Sequence, residues 1–359
     1  MKRVIVGMCC VSAMLLGAAL SAQAPQSEID AHIAAAKAAA GLNFRGTFMN
    51  LCLPGGFPGA ARGAAPARGA AADRGAGSGR GAAPDRGAAP ARGAGGPGAT
   101  PDRATWYASP YKVFDNLYWL GTRQHSSWAL QTSAGIVMID TNFAWAARPE
   151  LVEGMTKLGL NPTNIKYVII SHAHGDHDQG AALLQTEFGA KVVMGAADWD
   201  ATLKRGPEYA GGVPKQDISV GPEGYKLTLG DTTINIVYTP GHTPGTMSYL
   251  FPVKDGGKTV MVAYSGGTLT GAFGSDAAKW DQYIDSQKRI AAAAAEAGAS
   301  VILSNHSEYD DAYTKARLVG VKREVGEQNP FIMGTDGVQH YFTVMTECAM
   351  ASKLRLGAK

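Results

Sequence analysis

The chain has 359 residues, of which 45% are hydrophobic and 18% charged, and a formal net charge of +3. That length holds one large domain or two small ones, with apolar residues enough for a sizeable core. The positive balance does not point to a nucleic-acid partner. Lys2 and Arg3 carry +2, and an arginine run from Arg62 to Arg92 carries +4 net of Asp73 and Asp85, which leaves about −3 for the remainder.

Lys2 and Arg3 precede an apolar stretch, residues 4–20, and Ala22-Gln23-Ala24 supplies a small-x-small cleavage site. A membrane span wants about 20 apolar residues, more than this stretch offers. The pattern predicts a signal peptide over residues 1–24 and a periplasmic or secreted mature protein with no membrane association after cleavage. Cys9 and Cys10 would leave with that segment. Cys52 and Cys348 remain, and an oxidising compartment permits them to pair; sequence alone does not show whether their Cα atoms come within bonding range.

Residues 25–57 read as a short helical segment. A helix beginning at Ser27, with Asp30 in a capping-box position and Gly41 as its stop, is expected there. From Arg62 a six-residue repeat follows: RGAAPA, RGAAAD, RGAGSG, RGAAPD, RGAAPA, RGAGGP. It carries no aromatic and no large aliphatic side chain, so residues 58–103 are expected to form a disordered insert. Glycine at every third position, as collagen needs, is missing. Arg-Gly repeats can bind RNA through interleaved aromatics, which this one lacks.

Ordered chain is expected from residue 104 to residue 359. Residues 116–121 and 128–132 read as strands, and a turn at Ser133-Ala134-Gly135 leads into the apolar strand 136–140. A helix over 148–158, a strand over 166–171, a helix over 180–188 and a strand over 191–194 come next. A β-rich stretch spans 225–264, with turns at Gly230-Asp231 and Asp255-Gly256-Gly257. An alanine-rich helix over 276–297, a strand over 301–304 and a last helix over 336–354 complete the pattern. Strands and helices alternating in two halves predict layered sheet and helix in one domain.

Three of the eight histidines crowd into His172-Ala173-His174-Gly175-Asp176-His177, directly after a buried strand. In extended chain, residues two apart point the same way, so His172 and His174 can converge on one ion. Gly175 lets the chain turn, and Asp176 and His177 then face a second point nearby. Imidazole and carboxylate at this spacing suit zinc. His242, in the Pro/Gly-rich loop Thr239-Pro240-Gly241-His242-Thr243-Pro244-Gly245, and His306, at the end of the strand 301–304, stand where further ligands are needed. His32 and His340 read as ordinary helix histidines. His125, before the strand 128–132, is a candidate to line a cleft and touch substrate.

The pattern His172-x-His174-x-Asp176-His177, with His242 in GHTPG and His306 after a strand, resembles the metallo-β-lactamase superfamily over roughly residues 113–309. The resemblance implies an α/β (α+β) four-layer αββα sandwich with the site at one edge. It implies two zinc ions per chain, one held by His172, His174 and His242 and the other by Asp176, His177 and His306. Asp140 matches the family's buried aspartate, which supports the ligand loop from behind; otherwise it is a strand-ending turn residue.

Many relatives carry an aspartate bridging both metals after the strand 259–264, and others a cysteine there. Residues 265–275 contain neither. Five histidines and one aspartate with nothing bridging are similar to class B β-lactamases of the third subclass. Two zinc ions, Asp176 and one hydroxide would leave the site at about +2, which favours an anionic small-molecule substrate. Ser265 stands near the position where that subclass binds a substrate carboxylate, and is a candidate for that role or a plain turn residue. The expected activity is hydrolysis of a cyclic amide, most of all a β-lactam, by zinc-activated hydroxide, with Asp176 as both ligand and catalytic residue. A lactone, thioester or other ester or amide is the alternative substrate, and a zinc-binding module without turnover is the third reading.

Overall fold

Alternation along the strands sorts side chains onto two faces, and both faces of both sheets are covered. In the computed structural model, residues 25–53, 100–268, 273–324 and 326–357 are described. The expected signal peptide and nearly all of the expected insert lie outside them.

The first sheet has seven strands in sequence order: β1 (Tyr111–Lys112), β2 (Leu117–Trp119), β3 (Trp128–Thr132), β4 (Gly135–Ile139), β5 (Ile165–Ile169), β6 (Lys191–Gly195) and β7 (Ile218–Val220). The second runs β12-β11-β10-β9-β8, from β8 (Tyr225–Leu229), β9 (Thr232–Tyr238), β10 (Met247–Asp255), β11 (Lys258–Ser265) and β12 (Val301–Ser304). Leu117, Trp119, Trp128, Val137, Ile139, Ile169 and Val193 of the first sheet meet Ile236, Tyr249, Phe251, Val262, Tyr264 and Leu303 of the second in one buried core.

The opposite faces are packed by helices. Met138, Val168, Val192 and Met194 lie against α5 (Glu153–Lys157), α7 (Ala181–Phe188) and α8 (Ala196–Leu203), with Met155, Leu184 and Trp199 buried between. Leu250, Ala263 and Ile302 lie against α9 (Ala277–Glu296) and α12 (Gly334–Arg355) through Tyr283, Ile290, Tyr341 and Met345. The result is the expected αββα order of layers. Each fully buried large side chain contributes about 1.5–3 kcal/mol relative to exposure.

The N-terminal segment joins the second helical layer. α1 (Gln26–Ala40) and α2 (Arg45–Cys52) pack on α12, with Ala36, Ala40 and Phe44 buried. Cys52 and Cys348 form a disulfide across 296 residues of sequence, with Cα atoms 4.7 Å apart. The helix begins at Gln26 rather than Ser27, and its start has no side-chain cap: Pro25 takes that position and the expected capping box does not form. Before residue 104, Asp102 caps α3 (Arg103–Trp106) by accepting from Ala104 N at 3.1 Å.

The helix expected over 148–158 is in fact three short pieces: α4 (Ala144–Ala146), a π-helical turn (Ala147–Val152) and α5. Pro149 sits inside the middle piece; it has no N–H to donate and disfavours α geometry in the residue before it. Five short helices had no counterpart in the sequence reading: α3, α6 (Gly175–Asp178), α8, α10 (Ser307–Asp310) and α11 (Ala312–Val319).

Candidate metal centre

β4 and β5 run parallel in the first sheet, and β11 and β12 parallel in the second. Their C-terminal ends therefore meet at one edge of the sandwich. Asp140 follows β4, His172 follows β5, Gly266 follows β11 and His306 follows β12, while His242 lies in the loop from β9 to β10. A backbone bond from Met247 N to Ser171 O (2.9 Å) ties the two sheets together at this edge. Gly266 lies so close to it that a Cβ there would stand 1.6 Å from Met247 O.

His172, His174 and His242 offer ligand atoms that all lie within 4.8 Å of one another. The Nδ1–H of His172 donates to Gly266 O (2.8 Å), an acceptor shared with Asn305 Nδ2 (2.9 Å). The lone pair of His172 is thereby left on Nε2, which is buried with no hydrogen-bond partner. His242 donates from Nδ1 to Thr268 O (2.6 Å), and its Nε2 stands 3.0 Å from His174 Nδ1. Burial pushes His172 well below its ordinary pKa and His242 down to about 3, with the neighbouring histidines acting in the same direction. His174 is also lowered by burial. Three neutral imidazoles facing one point, one of them with an orphaned nitrogen, fit a metal ion.

The second group gathers on Asp176 Oδ2. His177 Nε2 and His306 Nε2 each lie 3.2 Å from that oxygen, and 3.1 Å from each other. Tetrahedral zinc with nitrogen and oxygen ligands at about 2.0–2.1 Å has ligand–ligand edges of about 3.3–3.4 Å, so these spacings match ligands of one ion. Burial works against the charged forms of His177 and His306, but Asp176 outweighs it, with Asp140 beside His177 and Glu308 beside His306. His177 is raised to about 10 and His306 to about 9. The same imidazoles keep Asp176 ionised far into acid despite its burial.

Asp140 stands where the sequence placed it, behind the ligand loop. It is fully buried and holds φ +57°, and its carboxylate accepts from Ser171 N (2.7 Å), Ser171 Oγ (2.8 Å) and Tyr264 OH (2.8 Å). Its Oδ2 is 3.1 Å from His177 Nδ1. Asp198 plays a similar bracing part without any cue in the sequence: its carboxylate accepts from Ala173 N, Thr243 Oγ1 and Gly245 N at 2.7–2.8 Å, joining the two loops that carry His172 and His242. Asp178, paired with Arg205 and Tyr209, holds the far side of the ligand loop.

Two candidate substrate residues fare differently. Ser265 is buried at 1% exposure with its Oγ unpartnered, on the side of β11 opposite Tyr264. Tyr264 points into the inter-sheet core toward Asp140, so Ser265 points into the layer under α12; the expectation that it meets substrate is corrected. His125 lies within the site. Its Nε2 is 3.5 Å from Asp176 Oδ2, and His125, Asp176 and His306 form a further group of candidate ligands. Beside it opens a cavity of about 480 Å³ lined by Trp106, Thr122, Arg123, Gln124 and Trp145. His32 pairs with Glu347 between α1 and α12, far in the fold from this edge, and His340 is exposed on α12.

Comparison with known proteins agrees with this geometry. Residues 120–256 match the family model described as the metallo-beta-lactamase superfamily. A hydroxyacylglutathione hydrolase of Acidiphilium cryptum is 34% identical over 87 residues, 24% of this chain and 31% of that protein. The chain spans about a third to a half of the length of the curated relatives it matches. Among solved structures, BJP-1, a subclass B3 metallo-beta-lactamase of Bradyrhizobium japonicum, is 28% identical, with a TM-score of 0.56 over 67% of this chain and 91% of that one. A mutant of the FEZ-1 metallo-beta-lactamase from Legionella gormanii is 25% identical, with a TM-score of 0.57 over 68% and 94%. The chain carries a metallo-β-lactamase superfamily domain, and its fold is similar to that of subclass B3 metallo-β-lactamases.

Proposed function

We propose that this chain is an exported two-zinc hydrolase that opens a cyclic amide, with β-lactams as the first candidate substrates. The observation that carries the reading is two adjacent sets of candidate ligands, His172, His174 and His242 beside the groups that share Asp176, with the buried His172 Nε2 left without a hydrogen-bond partner. In this reading His172, His174 and His242 hold one zinc ion, and Asp176, His177 and His306 the other. Zinc held by these residues would supply hydroxide at neutral pH and polarise a carbonyl oxygen.

The chain's own residues do the rest. Asp176, held ionised by His177 and His306 and 18% exposed at its side chain, would orient the nucleophile as well as bind metal. Asp140 Oδ2 stands 3.1 Å from His177 Nδ1 and favours a proton on that nitrogen, and Gly266 O fixes the ring of His172. Trp106 and Trp145 wall the cavity beside the site, and Arg123 supplies a cation there for an anionic substrate. Export rests on the residue 1–24 pattern and on the Cys52–Cys348 bond, which is at home in an oxidising compartment. Among the described residues no helix is long and apolar enough to cross a membrane.

A thioester, lactone or other ester is the second reading. The burial of Ser265 favours it, because that side chain is not open to a substrate carboxylate, and so does the name of the hydroxyacylglutathione hydrolase relative. Nitrocefin turnover by the purified zinc-containing protein, abolished by a chelator and restored by zinc, is the result expected of a β-lactamase. No nitrocefin turnover with hydrolysis of a lactone or thioester panel selects the second reading. Zinc binding without turnover of either class selects a non-catalytic zinc module. Asp176→Asn is expected to lower kcat more than its zinc content explains, and activity that tracks metal occupancy alone removes the orienting role.

A further inference from the structure

The geometry points to His125 as a fourth protein ligand of the second metal position, beside Asp176, His177 and His306. This rests on the two-metal reading above and goes beyond it, because that reading gives the position three protein ligands.

Distance is the first argument. His125 Nε2 lies 3.5 Å from Asp176 Oδ2, against 3.2 Å for both His177 and His306. All three are close to the ligand–ligand edge of about 3.3–3.4 Å that zinc requires. The rings of His125 and His306 have centroids 5.0 Å apart, those of His177 and His306 5.1 Å, and those of His125 and His177 6.4 Å. His125 thus lies beside His306 and farther from His177, with its Nε2 within reach of the same Asp176 oxygen.

Orientation is the second. His125 Nδ1 is 3.2 Å from Thr122 Oγ1. That hydroxyl already accepts from Gln124 N (3.3 Å) and His125 N (2.9 Å), so its own proton is left for Nδ1, and the contact holds the ring with Nε2 turned toward Asp176.

The backbone supplies the third. His125 and His306 face each other in an antiparallel bridge. Ser126 N donates to Asn305 O (2.9 Å) and Ser307 N to Gln124 O (2.8 Å), so the two segments are clamped on both sides of the pair. Phe143 backs the His125 ring edge-on at 5.1 Å. His125 therefore moves with His306, an established member of the group, and not as a free loop side chain.

Four protein donors, three imidazoles and a carboxylate, characterise zinc sites closed by protein, whereas three donors leave a position open for chemistry. With His125 in place the second position becomes the tightly held one. The open coordination position then belongs to the His172, His174 and His242 set.

Metal binding by the full chain tests this. Wild type, His125→Ala and His125→Gln are each titrated with Zn²⁺ against a chromophoric chelator, and their Co²⁺ forms compared by visible absorption. Wild type is expected to bind two ions; both variants are expected to keep one at wild-type affinity and lose the other by at least the roughly 10–100-fold seen for partners of metal ligands, with a changed cobalt spectrum. Thr122→Val, which leaves His125 present but unbraced, is expected to show a smaller loss at the same position. Two ions held at wild-type affinity with an unchanged cobalt spectrum in both His125 variants overturns the inference and leaves the two-metal reading standing; an altered KM with intact metal binding would make His125 a substrate contact instead. Wild type that binds no metal overturns both.

Discussion

Asp140→Asn isolates what a buried carboxylate does for a ligand it does not replace. The change preserves shape, and asparagine tolerates the φ of +57° that Asp140 adopts. One side-chain oxygen can still accept from Ser171 N, now 2.7 Å from Oδ1. The amide group must then occupy the position of Oδ2, which faces Ser171 Oγ, Tyr264 OH and His177 Nδ1. An amide N–H cannot accept from His177 Nδ1–H, so the ring proton moves to Nε2, the atom 3.2 Å from Asp176 Oδ2. Losing the carboxylate 3.1 Å from His177 Nδ1 costs up to the range of a charge-assisted contact, about 1.5–3 kcal/mol, which corresponds to about 10–150-fold in affinity. The expected outcome is a 10–100-fold weaker second metal, in line with other partners of metal ligands, and an unchanged first one. Competitive titration with a chelator, read by metal content, separates the two. Equal affinities for both ions in wild type and variant would refute the claim that Asp140 sets the His177 tautomer.

Three other outcomes follow from packing and charge. Gly266→Ala places a Cβ 1.6 Å from Met247 O, so the link between the sheets must shift; a loss above about 3 kcal/mol is expected by urea denaturation, whereas Gly159→Ala, with open space around it and φ +76°, should lose only about 1–2 kcal/mol. Glu150 is fully buried, and burial lifts its pKa to about 8. The folded state therefore holds a proton that the unfolded chain releases near its ordinary value, so this contribution to stability is present in acid and lost as pH rises toward 8. Glu150→Gln removes that dependence, and the variant should gain on wild type between pH 5 and pH 8.5 in denaturant titrations; a pH-independent difference would count against it. Cys348→Ala breaks the bond to Cys52 and should lower stability by about 2–4 kcal/mol, seen as a fall in Tm that reductant reproduces in the wild type.

The parts of this fold that were legible in sequence are those set by local periodicity. The buried strand before His172 follows from its apolar run, and Gly175 marks the turn that starts α6; His172 and His174 do converge, but across a bend closed by His174 N to His172 O (3.0 Å) and not by extended alternation. The strand over 301–304 and the alanine-rich helix are bounded within a residue of expectation. His125 was less legible because its place depends on a bridge to His306, 181 residues away, which no local pattern encodes. Asp198 was missed for the same reason: its three partners come from two other loops. Ser265 was misread on a point that alternation could have settled. Once Tyr264 is assigned to the inner face with Asp140, its neighbour must face the helices. The π-helical turn over Ala147–Val152 shows the opposite limit, where a helical pattern was right and Pro149 changed the kind of helix.

The bond between Cys52 and Cys348 also decides what a protease can accomplish. A cut anywhere between Leu53 and Thr100 severs the chain but not the molecule, because the fragment carrying α1 and α2 stays covalently fastened to α12. Nicked protein should migrate as one species without reductant and as two with it. Such a cut leaves the enclosing helices on the domain that bears the candidate metal ligands.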